Sequence, residues 1–193
     1  MPTAKRFGWV AAALVFAGCG VQSIPQADNA VNASWGEVQN QYQRRADLVP
    51  NLVETVRGYA SHERETLEGV IAARAKATQV QLNANDLTPE NLKKFEDAQA
   101  GLRSALGRLL AVAENYPQLK ANENFRDLQV QLEGTENRIA VARNRYIQAV
   151  QEFNNLVTVP PTSFTNSIVY HKQPKPQFTA TTAGAEQAPK VKF

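Results

Sequence analysis

The sequence predicts an all-α protein: an antiparallel up-and-down bundle of about four long helices, with an extended, proline-containing carboxyl-terminal tail. Three observations lead there. Oily side chains recur at alternating steps of three and four through most of residues 31–157. That 3.5-residue period draws one stripe along a helix, the narrow seam of coiled-coil packing. Gln, Asn, Ala and Glu are abundant, and five of the ten prolines fall from Pro160 onward, so helix-permissive sequence gives way to a looser end.

The chain opens with Lys5 and Arg6, then the apolar run "FGWVAAALVFA" over residues 7–17, then small residues and Cys19, the one cysteine of the sequence. Charge, oil and small residues in that order are the layout of a secretory signal peptide. The run is about a dozen residues, short of the ~20 a spanning helix needs. "FAGC" resembles the lipobox of bacterial lipoproteins, with Phe16 where leucine is usual. The resemblance implies cleavage before Cys19 and acylation of that residue with chains such as palmitate. Two or more acyl chains anchor stably, at ~0.8 kcal/mol per buried methylene. Gly20 stands where an inner-membrane retention signal would place aspartate, which by resemblance favours the outer membrane. The expected location is therefore the cell membrane or outer membrane, with the bundle facing the periplasm or the exterior. The plainer alternative is an unmodified thiol; a one-cysteine chain forms no internal disulfide. This divides the sequence into a signal peptide (residues 1–18), a lipidated linker (19–26), a bundle (27–158) and a tail (159–193).

In the first half, Val31, Trp35, Val38, Tyr42, Arg45, Val49, Leu52, Val56, Tyr59, Glu63, Thr66, Val70, Ala73 and Ala77 keep one phase. Pro50 interrupts it. A proline inside a helix removes a backbone bond and clashes with the preceding turn. Either the helix kinks at Pro50 and continues, which the unbroken phase favours, or a new helix starts there. Residues 83–88, "NANDLT", turn the chain. Thr88-Pro89-Glu90 then reads as N-cap, first-turn proline and an acid that suits the helix dipole. The stripe of that helix is Leu92, Phe95, Gln99, Leu102, Leu106, Leu109, Ala113 and Tyr116, ended by Pro117. "PQLKA" is a short link, so the next helix should return antiparallel. Asn122 caps it. Its stripe is Phe125, Leu128, Leu132, Thr135, Ile139, Ala142, Tyr146, Ala149, Phe153 and Leu156, and Pro160-Pro161 stop it. Residues 122–157 would extend ~54 Å. Residues 163–170, "SFTNSIVY", have room for a turn or two of amphipathic helix, and residues 177–193 read as a mobile tail.

Three long stretches, "QRRADLVPNLVETVRGYASHERETLEGVIAAR", "LLAVAENYPQLKANENFRDLQ" and "LEGTENRIAVARNRYIQAVQEFN", together resemble the LemA family of bacterial membrane-associated proteins, and the terminal "APKVKF" resembles that family's ending. The resemblance covers about residues 31–155. It implies a helical bundle tethered at its amino terminus, without an established enzymatic activity. Many members carry a plain transmembrane helix where this chain has its lipobox-like cysteine.

Function classes narrow on composition and spacing. Of 21 basic and 18 acidic residues, loss of Lys5 and Arg6 with the signal peptide leaves 19 against 18. Nucleic-acid binding calls for a clustered basic face, and none is present. "HERET" begins at His62, but a helical zinc protease needs a second histidine at position 66, which is Thr66. No metal site, cofactor loop or nucleophile–base spacing is expected. Gly58, Gly69, Gly101, Gly107 and Gly134 lie in helical sequence at ~1 kcal/mol each relative to Ala, and close helix approach is the usual reason for them. The anomalies are polar residues on the stripes: Arg45, Glu63, Gln99 and Thr135, with Arg74 beside Ala73. A buried charge must be paired. These residues are expected to form a polar layer fixing register, with Glu63 meeting the last helix near Thr135, Asn137 or Arg138. A binding site between helices near Glu63 and Arg74 is the alternative. Arg44, Asp47, Asn51 and Glu54 form a candidate interaction surface beside Pro50; the competing reading is that the charges there satisfy backbone groups that Pro50 frees. The favoured function is a non-enzymatic scaffold or adaptor held to the membrane through Cys19 and presenting a helical surface to other envelope proteins. A ligand receptor or enzyme, and a structural envelope oligomer, are the alternatives. The sequence leaves the oligomeric state open.

Overall fold

The computed structural model describes residues 21–84 and 86–178. The signal-peptide reading and Cys19 lie outside the described residues. The described residues are largely helical, with no strand among them. Helix α1 spans Ser23–Arg57, α2 Arg64–Gln79, α3 Pro89–Ala113, α4 Pro117–Ala121, α5 Glu123–Thr158 and α6 Thr162–Thr165, followed by a π-helical turn at Asn166–Tyr170. Helix α1 begins inside the stretch that reads as a linker, and Ile24 is already fully buried.

The caps form where the sequence places them. The Thr88 hydroxyl accepts from the Asn91 N–H, and the Asn122 side chain accepts from the Phe125 N–H. Each satisfies one donor that a helix start leaves open. Cross-helix partners give the directions. Trp35 stacks near Tyr146, Tyr42 receives Arg143, and Arg45 pairs with Glu136. Partner numbers fall on α5 as they rise on α1, so the two run antiparallel. The same test makes α2 and α3 antiparallel: Ala77 meets Gln99, and Glu63 meets Tyr116.

Helix α1 passes through Pro50 without interruption. The real break comes later, at residues 58–63, although the three-four phase runs on to Ala77. Tyr59, on that phase, is exposed. Gly58 closes α1, and its N–H bonds back to Glu54 and Val56. The expected short link at Pro117 is a one-turn helix whose Leu119 is fully buried. In α5 the buried seam slides by one residue: Val150 and Val157 are buried, while Ala149 and Leu156 are half-buried. A helix of 3.6 residues per turn drifts about 20° per heptad against a strict 3.5 repeat.

Close helix approach does not explain the glycines inside the helices. A Cβ built at Gly69, Gly101, Gly107 or Gly134 meets no atom within 4 Å.

Residues 159–178 are more ordered than their composition suggests. His171, at φ 55°, turns it back. Asn166 donates to the Lys172 carbonyl and accepts from the Lys172 N–H, and Asn154 makes the same pair of bonds to Lys175. Two asparagines thereby supply the backbone partners a strand would otherwise provide. Lys172 and Lys175 pair with Asp28 on α1, and the Tyr146 hydroxyl donates to the Pro176 carbonyl. Phe178, expected in the mobile tail, is buried against Trp35 and Tyr146.

Candidate functional site: a polar layer across the bundle

The apolar core is two clusters. One holds Trp35, Tyr42, Phe95, Ile139, Tyr146 and Phe153; the other holds Val49, Leu102, Leu109, Phe125 and Leu132. Each long helix crosses from one to the other at a polar residue: α1 between Tyr42 and Val49 at Arg45, α3 between Phe95 and Leu102 at Gln99, α5 between Ile139 and Leu132 at Thr135. All three are buried. Three of the five expected stripe anomalies thus occupy one layer.

Arg45 is its centre. One guanidinium nitrogen, Nη1, donates to Glu136 Oε1 at 2.8 Å, and Nη2 donates to the Gln99 carbonyl at 3.0 Å and to Gln99 Oε1 at 2.7 Å. Its carbon lies 5.0 Å from the Tyr42 ring centre. Gln99 passes the connection on, donating from Nε2 to the Ala77 carbonyl at the end of α2. The Thr135 hydroxyl donates to its own helix, at the Gln131 carbonyl, and so needs no partner across the layer.

A second pair flanks the first. Arg143 donates to Glu96 at 2.9 Å and lies 4.2 Å over the Phe178 ring. Burial raises the Glu96 pKa above the ordinary carboxylate range, with Arg143 opposing. A cleft of about 640 Å³ opens between α1, α3 and α5 over these groups. Chemically it presents three guanidinium groups: Arg45 and Arg143 each face a carboxylate, and exposed Arg103 also lines the cleft.

The remaining predicted residues stand elsewhere. Glu63 precedes α2 and accepts from the Tyr116 hydroxyl at 3.0 Å; its partner follows the end of α3 and is not on the last helix as expected. The reason is the break at residues 58–63, which turns Glu63 away from the line of α1. Arg74 donates from Nε to the Ala46 carbonyl at 2.8 Å. Ala46 lies four residues before Pro50, so this is the carbonyl that Pro50, lacking an N–H, leaves without a helical partner. The expectation that Arg44, Arg45 and Asp47 serve the backbone groups freed by Pro50 is corrected here: the donor is Arg74 on α2. Glu63 and Arg74 are not brought together. Arg44, Asp47, Asn51 and Glu54 form an exposed face of α1, where Asp47 accepts from Gln43 and Glu54 pairs with Arg57. His62 is exposed.

Stripe reading misses Glu96, Glu136 and Arg143 because they lie one residue beyond the stripes, after Phe95, Thr135 and Ala142. The readable signal is their shared place in the repeat, the flanking position where coiled-coil charges meet a partner helix.

A LemA-family model matches residues 34–193. Curated relatives include magnetosome proteins MamQ 2 and MamQ 1 of Paramagnetospirillum magneticum, each 33% identical over 72 residues, 37% of this chain and 26% of the relative. Magnetosome protein MamQ of Magnetospirillum gryphiswaldense is 28% identical over 89 residues, 42% of this chain and 33% of the relative. The chain spans about a quarter to a third of the length of these relatives. The family match covers most of the chain and includes α3, α5 and most of α1, the helices that build the polar layer: this protein belongs to the LemA family.

Proposed function

We propose that this chain is a lipid-anchored, non-enzymatic scaffold of the cell envelope, an up-and-down helical bundle held to the membrane by acyl chains on Cys19. The observation that carries the reading is the start of α1. Ser23 lies four residues after Cys19, and Ile24 is wholly buried. A tether this short couples an anchor directly to a rigid body, as a platform requires. Among the described residues no helix is long and apolar enough to cross a membrane. The exposed face of Arg44, Asp47, Asn51 and Glu54 is the proposed docking surface for envelope partners, with the bundle on the periplasmic or exterior side. In the ligand-receptor alternative the site shifts from Glu63 and Arg74 to the cleft over Arg45 and Arg143. Arg45 and Arg143 already face carboxylates, which favours a structural layer, and exposed Arg103 is the cation of the cleft left to a ligand in the alternative.

Metabolic labelling of cells with an alkyne fatty acid tests the anchor. The natural chain should take up label and Cys19→Ser should lose it; equal labelling of the two contradicts the reading. Crosslinking in cells followed by mass spectrometry tests the adaptor role. Specific envelope partners should be captured, and their yield should fall when Arg44 and Asp47 are charge-reversed. Self-crosslinks alone would support the structural oligomer instead.

A further inference from the structure

The large apolar side chains left exposed are not evenly spread. Of the nine among the described residues, Val159, Phe164, Ile168 and Val169 lie within residues 159–170, and Val21 is a fifth. Ile168 is 77% exposed and Phe164 is 64%. The other four are distributed over Tyr59, Ile71, Val130 and Val141. The orientation of the turn is fixed from inside. Asn166 is buried and donates to the Val157 and Lys172 carbonyls, which holds the turn against α5. The Tyr170 hydroxyl donates to the Val21 carbonyl, which ties it to the start of α1. Val21 is two residues from Cys19, a reach of at most ~7 Å along the backbone.

We infer that this end of the bundle is a membrane-contacting surface, inserting Phe164, Ile168 and Val169 into the lipid interface beside the anchor. The inference rests on the attachment at Cys19 proposed above. The occupant is the bilayer because the attachment point lies within two residues of a segment bonded to the patch. Acyl chains on Cys19 would enter the lipid within that reach of Val21, whose carbonyl Tyr170 bonds. Apolar side chains in the interface gain by removal from water, and they convert a single-point tether into a seated contact.

The test uses the mature acylated chain carrying Ile168→Trp, purified from membranes and reconstituted into phosphatidylcholine–phosphatidylglycerol vesicles with brominated acyl chains. Trp35 is buried and gives a constant background. Val130→Trp is the control: Val130 is 67% exposed and lies 28 residues before the end of α5, ~42 Å along the helix. Both sites are exposed, so neither substitution disturbs the core, and circular dichroism checks that. The inference predicts at least a twofold loss of the emission added by Ile168→Trp in brominated vesicles, and no loss of that added by Val130→Trp. Phe164→Trp should behave like Ile168→Trp. Flotation of the chain with the vesicles without quenching of either variant overturns the membrane contact while leaving the anchor intact. A chain that does not float with the vesicles overturns the anchor and this inference together. A blue shift of the Ile168→Trp emission that grows with protein concentration in the absence of vesicles identifies a second copy as the occupant and overturns the lipid assignment.

Discussion

Arg45 is 1% exposed; its two terminal nitrogens bond groups on two other helices, while its buried Nε has no hydrogen-bond partner. Breaking a buried ion pair from one side costs about 3–5 kcal/mol, and Glu136 can partly turn to water. Arg45→Ala should therefore lose about 3 kcal/mol in urea unfolding; a loss under about 0.5 kcal/mol, the size of an ordinary surface substitution, would remove the polar layer as a structural element. Asp28 gives a prediction in pH. Burial acts to raise its pKa, but hydrogen bonds and charge from Lys175 and Lys172 outweigh it and hold the group below its ordinary 3.8. Its contribution is present above that ordinary value and fades as pH falls through the lowered one. Protection of residues 171–178 against hydrogen exchange, taken relative to the intrinsic rate at each pH, should fall on acidification below 3.8, and Asp28→Asn should show reduced protection already at neutral pH. At this scale the sequence is readable in part. Arg45, Gln99 and Thr135 stand out because a polar side chain interrupts an oily stripe. Glu96, Glu136 and Arg143 do not, because a charge beside a stripe looks like any solvated face until the partner helix is in place.

Pro50 shows how an element borrows from its neighbour. Helix α1 continues because Arg74 of α2 bonds the carbonyl that proline leaves open. Arg74→Met orphans the Ala46 carbonyl and should cost about 1–3 kcal/mol. Pro50→Ala restores an N–H within bonding range of that carbonyl, so adding it to Arg74→Met should recover most of the loss. Strict additivity in the double-mutant cycle would contradict the pairing. The glycines make a second case. With open space at Gly101 and Gly107, replacement by Ala should stabilise by about 0.5–1 kcal/mol each, seen as raised urea midpoints; destabilisation would reveal contacts absent from the fold described above. Helix starts at Thr88 and Asn122 are legible because caps are local chemistry. The break after Gly58 is not, since the apolar phase runs through it. Nor is the docking of Phe178, which depends on asparagines and an aspartate distant in sequence.

At the scale of the whole molecule, α1 and α5 are antiparallel rods of 35 and 36 residues, about 50–55 Å long at 1.5 Å per residue. The proposed anchor, the docked residues 171–178 and the exposed apolar turn all gather at one end, while residues 58–63 and α4 lie toward the other. On the proposed anchor, a short tether joined to an apolar end would make the bundle stand on the membrane rather than lie along it. The LemA-family resemblance is visible in three quoted stretches; the crowding of exposed apolar side chains at one end is not, because it needs residues 21 and 170 to meet. Neutron reflectometry of the acylated chain on a supported bilayer tests this most directly. An upright bundle predicts a protein layer about 55 Å thick outside the headgroups, with no gap between protein and lipid. A layer of about 20–25 Å, the width of helices lying flat, would contradict it.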